Sequence, residues 1–115
     1  MSSETFDEAI EKIRRNVKRF EKIEGKPWGV EGAVIEFAKQ VGDLSALIMN
    51  REKYYFADRD KLSDKYDSSN EKIADELADI LLAVVRIADH YGIDLEAANT
   101  RTRKLEDDFL DTKDV

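Results

Sequence analysis

Apolar residues recur along this chain at alternating steps of four and three: Phe6, Ile10, Ile13, Val17 and Phe20, then Val34, Phe37, Val41, Leu44 and Ile48. Only an α-helix gathers such steps into one stripe, because a strand would need an alternation of two. Thr5, with Glu8 three residues later, forms a capping box that starts the first helix, and Gly25 is the expected terminator. Pro27 and Trp28 make a short connection to a second helix from about Val30 to Asn50. One Pro and five Gly among 115 residues, with a charged fraction of 39%, fit long amphipathic helices.

A third helix is announced by Ser68 and Glu71 as a second capping box. Its apolar residues, from Ile73 through Leu77, Leu81 and Val85 to Tyr91, cover a face too wide for one neighbour. Gly92 ends it, and Asp94 caps a fourth helix running through Ala97, Ala98, Leu105, Phe109 and Leu110. Between the second and third helices, Arg51 to Ser68 is polar but holds Tyr54, Tyr55, Phe56 and Tyr66, so a folded loop or short helix is expected there. The length is that of one domain, 1–115, with residues 1–4 and 112–115 expected to fray. The fold class that follows is all-α, a four-helix bundle whose over-wide third helix is covered by self-association, as a homodimer or homotetramer, or else by the loop from Arg51 to Ser68.

Several classes of function drop out on composition. The chain has no cysteine, which removes disulfides, thiolate metal sites and a Cys nucleophile. A net charge of −7 with basic residues scattered among acids opposes binding to a nucleic-acid polymer. The longest apolar run, Ile80 to Val85, is too short to span a bilayer, and the opening MSSETFDEAIEK holds no apolar stretch of signal length. A cytoplasmic protein without membrane contact is the expectation.

The chemistry that remains lies in acids beside the apolar stripes. Glu76 and Asp79 are three residues apart and share a helix face, with Asp75 one turn before Asp79. Hard Mg²⁺ takes oxygen ligands, usually one or two carboxylates completed by water and substrate phosphates, so this pair is half a site. The second helix supplies the other half through Glu36, Gln40 and Asp43, which fall within roughly 60° of arc at about 100° per residue. Acidic pairs at this spacing are also common on solvated helices, where Lys72 would simply pair with Glu76. Position favours the site, because Glu76 and Asp79 flank Leu77 and Ile80 at the edge of the core stripe.

These residues resemble the MazG-like all-α nucleotide pyrophosphohydrolases, which include the dCTP and dUTP pyrophosphatases. Phe37-Ala38-Lys39-Gln40-Val41-Gly42-Asp43-Leu44 is similar to the family's block ending in E-V-G-E-L. Asp75-Glu76-Leu77-Ala78-Asp79-Ile80-Leu81 is similar to its E-L-A-D-hydrophobic block, and the likeness continues through Tyr91-Gly92-Ile93-Asp94 into the last helix, over roughly residues 28 to 106. The resemblance implies hydrolysis of a nucleoside triphosphate to monophosphate and pyrophosphate, with Mg²⁺, or Mn²⁺ in its place, held by Asp43, Glu76 and Asp79. It also implies an aromatic near Trp28 against the base.

The departures are specific. The family's first glutamate falls on Gln40, an amide that cannot act as a base, with Glu36 one turn earlier to compensate; Asp43 is one methylene short. The lysine and asparagine of the family's last helix would fall near Thr102 and Glu106, leaving Arg101 and Lys104 as the nearby cations for phosphate. The alternatives are a degenerate relative that binds nucleotide or metal without turnover, and a structural helical oligomer.

Overall fold

The computed structural model describes residues 4–54 and 68–115. Among them the secondary structure is four helices and no strand: α1 (Phe6–Glu21), α2 (Gly29–Arg51), α3 (Asn70–His90) and α4 (Leu95–Asp111). No helix in this set is long and apolar enough to cross a membrane. The aromatic segment expected between α2 and α3, with Tyr55, Phe56 and Tyr66, lies outside the described residues.

Three of the four helix starts are held by a side chain that the sequence encodes, and α2, which follows Trp28, has no side-chain cap. Thr5 Oγ1 accepts from Glu8 N–H at 3.1 Å and caps α1. The cap of α3 is Ser69, which accepts from Lys72 N–H, one residue later than the Ser68 box expected. Asp94 Oδ1 accepts from Ala97 N–H at 2.9 Å and caps α4. Helix α1 stops at Glu21, before the expected Gly25, with its last carbonyls taken by the N–H groups of Lys22, Ile23 and Glu24. At the end of α3, Gly92 sits at φ +66°, and Ile93 N–H donates to Ala88 O at 2.9 Å across it. This closing turn needs a left-handed residue, which glycine supplies without strain.

The two longest helices, α2 and α3, pack antiparallel and form the body of the molecule. Asn50 of α2 reaches Ser68, just ahead of α3, and Arg51 reaches Asn70 at the start of α3. Helix α1 lies on the other side of α3, where Ile10, Val85 and Ala88 are buried together as a small core. Arg14 ties this layer down by donating from Nε to both oxygens of Asp89, at 3.1 and 3.0 Å.

The seam between α2 and α3 departs in part from the stripe the periodicity suggested: Phe37 and Leu44 are half-buried, but its other members are not. Ala33, Gln40 and Leu47 are the buried residues of α2, whereas Val34, Val41 and Ile48 are 47%, 39% and 42% exposed. The two sets are neighbours in sequence and about 100° apart round the helix. Packing selects the first because Ala33 and Ala83, both 2% exposed, let the two backbones approach closely. Helix α4 also departs from expectation as a core layer. Beyond its first turn every residue from 99 to 111 is exposed, with Leu105 63% and Phe109 60% accessible.

Candidate functional site

The antiparallel pairing of α2 and α3 brings the two acidic motifs onto one side of the helix pair. Both helices are right-handed, so residues turned the same way from the shared seam meet on one face when the chains run in opposite directions. Glu36 and Asp43 stand there on α2, with Glu76, Asp79 and Asp75 on α3.

Their electrostatics record the meeting. The Glu76 carboxyl is pushed above the usual glutamate range, first by desolvation and then by the charges of Asp43 and Asp79. Asp79 is pushed up in the same way, by desolvation and by Asp75 and Glu36. Glu76 Oε2 is buried and has no hydrogen-bond partner among the described residues, and no ion pair there joins it to Lys72. An orphaned carboxylate oxygen held among like charges is a position that a cation relieves.

Lys39, which the motif reading passed over, is the cation now nearest these acids. Its Nζ lies 3.4 Å from Asp43 Oδ2, and the charges of Glu36 and Glu76 also hold its proton. The spacing signal was present in the sequence, since Lys39 is three residues after Glu36 and four before Asp43. Gln40 is buried in the seam, where its Nε2 donates to Glu36 Oε1 at 2.8 Å. The amide therefore fixes the direction of the neighbouring carboxylate. Among the described residues no three His, Asp or Glu side chains converge tightly enough to grip one ion in this conformation.

Beside the acids lies a cavity of about 400 Å³, lined chiefly by apolar atoms. Its walls include Phe20 and Ile23 from the end of α1, Trp28, and Leu82 and Ala83 of α3, while Glu36, Gln40 and Asp79 form its polar edge. Trp28 immediately precedes α2 and lies back over its first turn, against Gly32. A Cβ at Gly32 would stand 2.7 Å from Trp28 Cβ, so only glycine admits the indole there. Arg86 places its guanidinium 4.3 Å from the ring centroid of Trp28 and pairs with Glu24. The side chains of that ion pair are only 13% and 11% exposed. Arg86 follows Asp79 by seven residues, two turns on the same face, and this spacing is the signal by which the sequence offered it.

Of the residues singled out by motif, the structure brings Trp28, Glu36, Gln40 and Asp79 to the cavity and sets Asp43 and Glu76 beside them. It does not bring Arg101 or Lys104 there. Both are exposed on α4, where Lys104 pairs with Asp108 at 3.2 Å. Glu106 likewise pairs within α4, with Arg103 at 3.0 Å.

No protein-family model, no curated protein and no solved structure matches this chain.

Proposed function

We propose that this protein is a Mg²⁺-dependent nucleoside triphosphate pyrophosphohydrolase of the MazG-like kind. The observation that carries the reading is the facing of two acidic motifs across the α2–α3 seam at the edge of an apolar cavity floored by Trp28. A nucleotide has these two ends: a flat apolar base and a polyanion that approaches carboxylates only with a cation between them.

The residues suit Mg²⁺ in chemistry. Asp43, Glu76 and Asp79 are hard oxygen donors, and Glu76 Oε2 lacks a partner. Bound there, Mg²⁺ would offset the charge of the phosphate chain. For Asp43 to serve as a ligand, Lys39 must release it. Glu36, directed by the Gln40 amide, is the base of this scheme and takes the proton of the attacking water. The water oxygen bonds to the α-phosphorus, the bridge to the β-phosphorus breaks, and pyrophosphate leaves with the electron pair. Trp28 offers a ring face to the base, and the Arg86–Glu24 pair holds that ring in place.

One observation favours a second reading. Gln40 is a buried amide where the resembled family carries a glutamate, which fits a relative that binds nucleotide without turnover. Pyrophosphate release from a panel of canonical and modified nucleoside triphosphates, with Mg²⁺ or Mn²⁺, separates the two. Release that vanishes in Glu76→Ala supports the enzyme. Thermal stabilisation by nucleotide without release supports the binder, and no response to either ligand would sink both. We also read the bundle as completed by another copy of the chain.

A further inference from the structure

Charge is segregated on α1. Seven of the 19 Lys and Arg residues stand between Lys12 and Lys26, against two acids, Glu21 and Glu24, so this stretch carries +5 in a chain of net charge −7. The scatter of basic residues that opposes binding to a nucleic-acid polymer does not extend to this helix. Arg15, Lys18, Arg19 and Lys22 are all exposed and fall within about 100° of arc, and Lys26 follows just beyond. Lys12, Arg14, Lys39, Arg86, Arg103 and Lys104 each pair with an acid, whereas these five cations make no ion pair with any described residue.

Helix stability does not ask for this arrangement. The helix dipole favours Lys18 and Arg19 in the last turn, but Arg15 lies a turn earlier and Lys26 outside the helix. Arg15 with Arg19, and Lys18 with Lys22, are like charges four residues apart, which repel. A ridge of cations kept without counter-charges attracts an anion from outside the fold.

Its place ties it to the candidate site. Phe20 and Ile23 form one wall of the cavity, and Arg19 lines a hollow that shares those two residues. Lys18 and Lys26 line another hollow that shares Glu24, Trp28 and Arg86 with the cavity. Phe20 is 51% exposed and offers a ring face beside the cations. The cavity therefore has two charged borders, carboxylates at one edge and the α1 ridge at another.

A nucleoside triphosphate carries its charge at one end only. In the proposed reaction a metal ion bridges that end to the acids and the base lies on Trp28, which leaves the ridge with nothing to hold. A ligand that uses both borders has a triphosphate at one end and further phosphates beyond the first base. Basic tracks flanked by aromatic rings hold single strands in this way, the cations on the backbone and the rings on the bases. From Arg15 to Lys22 the ridge runs about 10 Å, long enough for more than one phosphate.

We propose that the substrate is the 5′-triphosphate end of a single-stranded nucleic acid, with its first base on Trp28, its second on Phe20 and its following phosphates on Arg15, Arg19 and Lys22. The water oxygen bonds to the α-phosphorus of the first nucleotide, its proton passes to Glu36, and pyrophosphate leaves with the electron pair of the broken bridge, so the strand ends in a 5′-monophosphate. The inference rests on the pyrophosphohydrolase reading and names its substrate.

The test compares a 5′-triphosphorylated single-stranded tetranucleotide with the nucleoside triphosphate of the same first base. Pyrophosphate release by the full chain with Mg²⁺ gives kcat/KM, and quenching of the single tryptophan gives affinity, each between about 50 and 200 mM salt. At low salt the tetranucleotide should be preferred by about tenfold or more. In the triple variant Arg15→Gln, Arg19→Gln, Lys22→Gln, whose glutamines keep the helix, that preference should disappear, and the slope of log affinity against log salt should become shallower by about 2. Quenching without release, tighter for the tetranucleotide and weakened in the triple variant, supports the inference for a protein that binds without turnover. A nucleoside triphosphate that serves as well as the tetranucleotide, or a preference that survives in the triple variant, would overturn it and leave the pyrophosphohydrolase reading standing. Neither release nor quenching with either ligand would remove that reading and this inference together.

Discussion

Lys39 Nζ lies 3.4 Å from Asp43 Oδ2, one turn along α2, and its charge also reaches Glu36 and Glu76 across the acidic face. The ammonium is the counter-ion of a carboxylate group that would otherwise be unbalanced. It also competes for the place a divalent cation would take.

Removing that competitor should tighten metal binding. In Lys39→Met, the affinity for Mn²⁺, read by electron paramagnetic resonance of the free ion, is expected to rise on the order of tenfold at low salt. Weaker binding in the variant would mean that Lys39 supports the metal rather than standing in for it.

The acids predict an unusual dependence on pH. Glu76 and Asp79 hold their protons more tightly in the folded chain than in the unfolded one, through desolvation first and neighbouring acids second. A carboxyl raised in this way costs nothing well below its unfolded value; the cost to the fold grows as pH rises from the unfolded value to the folded one and is full above it. Glu76→Gln should therefore raise the melting temperature at pH 7, and the gain should disappear by about pH 3, more than a unit below the unperturbed glutamate value of about 4.3, where the wild-type carboxyl is neutral in both states. A variant less stable than wild type at pH 7 would contradict the assigned shift.

Gln40→Glu would restore the acid that the resembled family carries, but at a buried position 2.8 Å from Glu36 in the native hydrogen bond. Without divalent metal it should cost about 1–3 kcal/mol of stability, measured by urea unfolding, because a donor becomes a second acceptor. With Mg²⁺ present, pyrophosphate release should rise. Equal stability without metal would show that Gln40 does not orient Glu36.

The clasp on the single tryptophan is open to fluorescence. Arg86→Met leaves Glu24 mostly buried without its cation, and should cost about 3 kcal/mol in denaturant unfolding and shift Trp28 emission to the red. Unchanged emission would place the indole elsewhere in solution.

Gly32→Ala sets helix propensity against packing. Alanine gains about 1 kcal/mol over glycine inside a helix, yet its Cβ would stand 2.7 Å from Trp28 Cβ. The expected outcome is net destabilisation with altered Trp28 emission. A more stable variant with native emission would mean that the ring can move away at little cost.

Much of the local structure was written in the residues themselves. Thr5, Asp94 and Gly92 set helix ends because a side-chain oxygen or a missing Cβ acts within a few residues of itself. The meeting of Glu36 and Asp43 with Glu76 and Asp79 was half legible. Spacing put each pair on one face of its own helix, but not on the same side of the pair. Lys39 and Arg86 had the right spacing too, yet nothing local distinguished them from other solvated cations.

The sequence by itself determined the four helices of the described residues, since a period of 3.6 residues leaves the apolar steps no other regular form. Which stripe would be buried was decided by tertiary packing alone. Ala33, Gln40 and Leu47 lie in the seam in place of Val34, Val41 and Ile48, with the small Ala33 and Ala83 nearly fully buried there. Hydrophobicity is blind to that choice: it rewards any burial, whereas close packing rewards only surfaces whose shapes fit. Val34, Val41 and Ile48 stayed exposed opposite the acids, and their position there is a property of two helices together that neither sequence segment contains.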